Sequence, residues 1–179
     1  MEFTELIMNR RSKRIYTEEA LPEFSLDIIL NAGLLAPTGR NLRPAEVIVV
    51  RDRVLLDHLA EAKTAGSAML KNAKAALVVI GDAEKSDTWI EDCSIMMSYM
   101  QLAAENLDIG NCWVQLRGRE SQKVVDGVRQ SSAEYVREAL DIPARFQPLA
   151  MLSLGMSEEV RPRHSIEEVE PALVHEEKF

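Results

Sequence analysis

A chain that carries the segment Thr88–Leu107 has few ways to fold. Ile90, Ile95, Met96, Met97, Tyr99, Met100, Leu102, Ala103, Ala104 and Leu107 spread apolar side chains over most of a helical circumference. A helix of that kind is buried on several sides. In 179 residues this means the centre of the core or a subunit interface. Thr88 with Glu91 three residues on reads as a capping box that opens the helix. Gly110 lies just past its end, where glycine stops helices.

Short apolar runs lie on either side of it. Glu46–Val50, Ala75–Ile80, Cys112–Leu116 and Leu149–Leu154 each read as a buried strand. Helical spacing predicts short helices over 2–9, with Phe3, Leu6 and Ile7 on one side, and over 53–64. Ser25 reads as the N-cap of a helix to about Leu35, which stops before Pro37 because the residue before proline avoids the helical region. Ser131 with Glu134 caps a helix to about Leu140, and Ser165 with Glu168 caps one short turn. No repeat, low-complexity segment or linker interrupts the order, so residues 1–179 read as one domain. Helices alternating with single strands indicate an α+β or α/β layered domain.

Charge narrows the function. The chain has 21 Lys+Arg against 29 Asp+Glu, a net charge of −8. Proteins that bind nucleic acid through its phosphate backbone are usually basic, and aromatic residues for base stacking make up only 5%. No apolar run approaches the ~20 residues that span a bilayer. The N-terminus lacks the pattern of a secretory leader. Cys93 and Cys112 have neither metal-ligand spacing nor a disulfide framework. These features predict a cytoplasmic protein.

Against its overall sign, the chain bears two knots of positive charge. One is R-R-S-K-R at 10–14; the other is Arg161-Pro162-Arg163, just after the last apolar run. Guanidinium forks with a serine hydroxyl are suited to a phosphate, and if the fold joins the chain's ends the two knots form one anion site. Each run also reads as a solvated basic surface. The loop A-P-T-G-R-N-L-R-P at 36–44 offers Asn41 as donor and acceptor to a heterocycle, and Thr38 and Gly39 for close backbone approach. The same loop also reads as a plain turn. His58, His164 and His175 are scattered, and no catalytic or nucleotide-binding motif occurs. An anion site without an acid–base or metal cluster points to a cofactor that carries the chemistry.

Together these motifs resemble the nitroreductase family of flavoproteins. R-R-S-K-R is similar to that family's opening R-R-S-x-R, and A-P-T-G-R-N-L-R-P to its A-P-S-x-x-N-x-Q-P loop. Asp92–Val114 resembles the long central helix and following strand, and Leu152–Arg163 the closing strand and phosphate loop. Arg43 stands where the family has glutamine, and Ala45 where an aromatic residue is common.

The resemblance implies a three-layer α+β domain, a central, mostly antiparallel mixed β-sheet flanked by helices, in an intertwined homodimer with FMN at the subunit interface. It implies ping-pong hydride transfer from NADH or NADPH through the flavin to a nitroaromatic, quinone or similar small-molecule acceptor. It places the ribityl phosphate on Arg10, Ser12 and Arg14, with Arg11 beside them and Arg161 or Arg163 completing the site. Pro37, Thr38, Gly39 and Asn41 would meet the isoalloxazine ring from the other subunit. A backbone N–H of the strand at 114–116, that of Gln115, would point at flavin N5. Other readings are a flavin store or sensor without efficient turnover, a specialised dehalogenating or flavin-fragmenting relative, and a cofactor-free structural dimer.

Overall fold

The computed structural model describes residues 1–179. Its elements in chain order are α1 (Phe3–Asn9), α2 (Ser25–Leu34), β1 (Ala45–Val50), α3 (Arg53–Leu59), β2 (Ala75–Asp82), α4 (Trp89–Asn106), β3 (Gly110–Gln115), β4 (Glu120–Val125), β5 (Val128–Ser131), α5 (Ser132–Ala139) and β6 (Phe146–Gly155). Four strands make one sheet in the order β1-β2-β6-β3. Every pairing in it is antiparallel, so the mixed character implied above is not found within one chain's sheet.

The period-two alternation of strand side chains divides the core into two layers. On β2, Ala75, Leu77 and Val79 face one side with Met96, Met97 and Met100 of α4 and Ile29 of α2. Ala76, Val78 and Ile80 face the other, with Leu56 and Leu59 of α3 and Tyr135 and Val136 of α5. The two central strands, β2 and β6, are covered on both faces, which explains their near-continuous apolar runs. The result is an α+β domain of three layers.

Three local expectations need correction. Ser25 does not cap α2. Phe24 holds the cap position at φ 61°, and Ser25 begins the helix with its hydroxyl buried and unpartnered. Thr88 forms no capping box, because its hydroxyl meets Ser86 (3.0 Å) and the Asp92 carboxylate (3.2 Å) instead. Helix α3 stops at Leu59, short of residue 64, where Thr64 donates its N–H to the Glu120 carbonyl.

The Ser131 cap is formed, with the hydroxyl accepting from the Glu134 N–H at 3.1 Å, and so is the Ser165–Glu168 box. The β4–β5 hairpin is absent from the reading above. It turns on Asp126 and Gly127, both at positive φ, as a two-residue hairpin turn requires.

Candidate functional site

After α1 the chain runs extended beside β3, with the Lys13 N–H donating to the Asn111 carbonyl at 2.9 Å. Tyr16 anchors this run. Its ring covers the point where Gly110 of β3 faces Gly155 of β6, and a Cβ on Gly155 would lie 2.7 Å from that ring. Its hydroxyl meets Ser153 Oγ at 2.6 Å and the Lys13 carbonyl at 2.9 Å. Burial pushes the Tyr16 phenol far above its usual pKa, so it stays a neutral donor.

The segment after β6 returns to the same place. Glu159 accepts from the Arg14 N–H at 2.7 Å and the Ile15 N–H at 3.1 Å and pairs with Arg161. The Arg11 guanidinium donates to the Pro162 carbonyl at 2.7 Å, and the Ser157 hydroxyl to the Ile15 carbonyl at 2.6 Å. The two ends of the chain are thus fastened together.

They enclose a cavity of about 280 Å³ lined by Arg10, Arg11, Ser12, Arg14, Arg161 and His164, with no apolar residue. Arg14 donates weakly to the Ser12 carbonyl at 3.5 Å. The Arg10 guanidinium and the Ser12 hydroxyl have no partner in the chain and remain free to bind. Arg163 is not brought in. It lines the adjoining cavity, with Lys13 and Glu105. The donor set fits a phosphate dianion, which needs several charge-assisted donors at once.

The loop 37–44 is also held firmly, but elsewhere. The Gly39 N–H donates to Asp92 Oδ1 at 2.8 Å, and the Thr88 hydroxyl to Asp92 Oδ2 at 3.2 Å. A Cβ on Gly39 would strike the Thr88 hydroxyl. The Arg43 N–H donates to the Thr38 hydroxyl at 3.1 Å, Lys85 Nζ to the Arg43 carbonyl at 3.0 Å, and Arg40 pairs with Asp87. Arg40, Asn41 and Arg43 all stand at positive φ, a strained arrangement that persists only where its surroundings fix it. Pro37 is exposed and Thr38 and Gly39 half-buried. Asn41 accepts from Arg43 Nε at 3.3 Å and keeps its NH₂ free.

Asp92, 2% exposed beside the buried Cys93, Met96 and Met97 of α4, is the residue that sequence reasoning missed. Its signal was available, because aspartate is almost never buried without a partner.

β3 is an edge strand. Asn111 turns its carbonyl outward to Lys13, whereas Leu116 donates inward to the Leu149 carbonyl. By antiparallel alternation, the N–H of Gln115 faces the open edge. Its side chain is fixed along the strand, accepting from Trp113 Nε1 at 2.8 Å and donating to the Arg117 carbonyl at 3.0 Å.

The arginine cluster and the loop 37–44 lie at opposite ends of α4. Asp92 touches the loop at one end, and Glu105 lines a cavity with Arg11 and Lys13 at the other. Residues 92 and 105 are about 20 Å apart along the helix at ~1.5 Å per residue. One chain therefore does not bring the two motifs together.

Apolar side chains of these helices lie uncovered, among them Phe3 and Ile7 of α1, Leu34 of α2, and Ile95 and Tyr99 of α4. No three His, Cys, Asp or Glu side chains are placed to hold a metal ion. No helix is long and apolar enough to cross a membrane.

The same fold occurs in known proteins. The model of the Nitroreductase family matches residues 7–66 and 53–156. A relative from Archaeoglobus fulgidus, described as "Putative NADH dehydrogenase/NAD(P)H nitroreductase", is 34% identical over 183 residues, covering 99% of each chain. The structure of an FMN-dependent nitroreductase from Clostridium difficile R20291 superposes with a TM-score of 0.90 at 38% identity, over 97% of this chain and 98% of that one. A structure from Desulfovibrio desulfuricans in complex with FMN matches with a TM-score of 0.74 at 26% identity, over 98% and 96% of the two chains. The chain belongs to the nitroreductase family.

Proposed function

We propose that residues 1–179 form one FMN-binding domain of a homodimeric oxidoreductase that uses NADH or NADPH to reduce nitroaromatic, quinone or similar small acceptors, in the cytoplasm. The observation that carries this reading is the cavity built wholly from Arg10, Arg11, Ser12, Arg14, Arg161 and His164 on a chain of net charge −8. It supports a phosphate there, and two of the similar structures are described with FMN. When bound, FMN supplies the hydride-accepting and hydride-donating chemistry, so no side-chain acid is compulsory.

The chain's own residues then have distinct tasks. Arg10, Ser12 and Arg14 bind the phosphate, with Arg161 held in place by Glu159. Pro37, Thr38, Gly39 and Asn41 present a rigid backbone surface to the ring, fixed by Asp92. The Gln115 N–H on the open strand edge would be the donor for flavin N5, a preorganised dipole for the atom whose charge changes.

The 20 Å separation along α4 supports a dimer. Two copies related by a two-fold axis, their α4 helices antiparallel, place the loop of one beside the arginine cluster of the other. The uncovered apolar face of α1, α2 and α4 supplies the contact surface.

The test is the visible absorbance of the purified protein, with the released cofactor identified after denaturation, followed by FMN titration of variants. Arg10→Ala and Arg14→Ala should each weaken FMN binding more than tenfold, the loss of a charge-assisted contact being ~1.5–3 kcal/mol. A colourless protein that takes up no added FMN, or unchanged affinity in both variants, would sink the assignment.

A further inference from the structure

We propose that a second site, remote from the arginine cluster, binds a nucleoside monophosphate. It lies where β1 ends and β2 begins, in two adjoining cavities that share Arg51 and Lys74.

The smaller cavity, about 240 Å³, is walled by four cations, Arg51, Arg53, Lys71 and Lys74, and by one carboxylate, Glu18. On a chain of net charge −8 this concentration of positive charge needs a reason. Arg53 is fixed in place, donating to the Leu70 carbonyl at 2.7 Å and the Ala73 carbonyl at 3.1 Å and pairing with Asp57 at 2.9 Å. Lys74 is 23% exposed and pairs with Glu18 at 2.8 Å, but the Glu18 side chain is 93% exposed and free to swing into water. Arg51 and Lys71 form no ion pair within the chain. A phosphate dianion that displaces Glu18 finds Lys74, Arg51 and Lys71 as donors, beside Arg53, whose guanidinium is largely engaged by Leu70, Ala73 and Asp57.

The larger cavity, about 490 Å³, has the complementary chemistry. Leu21, Pro22 and Phe24 give it an apolar wall, and the Phe24 ring is 67% exposed. Glu23 and Asp27 also line it, so in this compartment Arg51 and Lys74 are balanced and an anion is not favoured. Carboxylates accept from sugar hydroxyls, while an aromatic ring offers a face for a base. The N-terminus of α2 opens here without a side-chain cap, which leaves backbone N–H groups of its first turn unpaired. Ser25, 3% exposed on the same wall, has a hydroxyl with no partner. Phosphate in the cationic compartment and nucleoside in the other match the chemistry of the two linings. The site shares no residue with the cavity of Arg10 and Arg161.

The experiment is calorimetric titration of the purified protein with adenosine monophosphate and, separately, with inorganic phosphate, while flavin content is followed by absorbance. One nucleotide should bind per chain. Arg51→Ala and Lys71→Ala should each weaken it more than tenfold with flavin content unchanged. Phe24→Ala should weaken the nucleotide and leave inorganic phosphate unaffected.

No nucleotide binding at millimolar concentration overturns the proposal, as does binding indifferent to Arg51→Ala. Binding abolished by Arg10→Ala would place the nucleotide in the other cluster. Inorganic phosphate binding as tightly as the nucleotide removes the nucleoside from the reading. Because flavin is read independently, loss of this site and loss of the flavin assignment are told apart.

Discussion

Two glutamates beside the arginine cluster are pushed in opposite directions. The N–H groups of Arg14 and Ile15 and the charge of Arg161 hold the Glu159 carboxyl below its usual pKa. Burial raises Glu105, only partly offset by Lys13 and Arg10, and one of its oxygens has no partner. A depressed carboxyl contributes stability that is present above its ordinary pKa and lost as pH falls through the folded one. A raised carboxyl does the reverse, its contribution being full below the ordinary pKa and lost as pH rises through the folded value. The fastened ends are therefore most stable between these two pKa values, with Glu159 ionised and Glu105 protonated. Glu105→Gln should leave the melting temperature unchanged in acid and raise it increasingly from the ordinary glutamate range upward. A difference that is flat with pH would show that Glu105 does not titrate in the fold.

At the scale of elements, α4 faces two ways. Met97 and Met100 are fully buried within their own chain against the sheet and α2, so replacing either with alanine costs fold stability of about 2–5 kcal/mol. They are not the surface that meets a partner. The exposed apolar residues of α4 are Ile95 and Tyr99, at 37% and 43%. Ile95→Asp and Tyr99→Asp should give folded monomers without flavin, because the proposed site needs both copies. A flavin-loaded monomer in sedimentation would refute this.

Much of the element pattern was legible because burial writes itself in apolar spacing, as in β2 and α4. The missed β4–β5 hairpin buries little beyond Ser121, so Val125-Asp126-Gly127-Val128 carried only a turn signal without flanking alternation. β6 begins three residues earlier than its apolar run at 149 indicates, despite Pro148. The register shift of β2 between Val79 and Ile80, opposite Pro148, accommodates a residue with no N–H to pair. The cap at Thr88 failed because a tertiary contact outweighed the local preference, and the cap at Ser25 because the helix starts one residue earlier, with Phe24 at the cap position. Thr88 serves Asp92, 53 residues beyond the Gly39 whose N–H it binds.

For the whole molecule, the joining of the chain's ends was legible as charge set against the net sign. That Arg161 and not Arg163 enters the cluster was not, because the direction of the 156–163 segment depends on Glu159 reaching Arg14 across 145 residues. The placement of loop and cluster at the two ends of α4 has a genetic consequence. In the proposed dimer each site draws its cluster from one copy and its loop from the other. A chain damaged only at Arg10 and a chain damaged only at Asp92 are then each inactive alone yet complementary. In a mixed dimer one site inherits both lesions and the other inherits neither. Unfolding and refolding Arg10→Ala and Asp92→Ala chains together in equal amounts should restore flavin to about one site in four, as random pairing into symmetric dimers predicts. Two half-damaged populations would thus rescue each other, and a mixture no better than its components would mean that every site is built from a single chain.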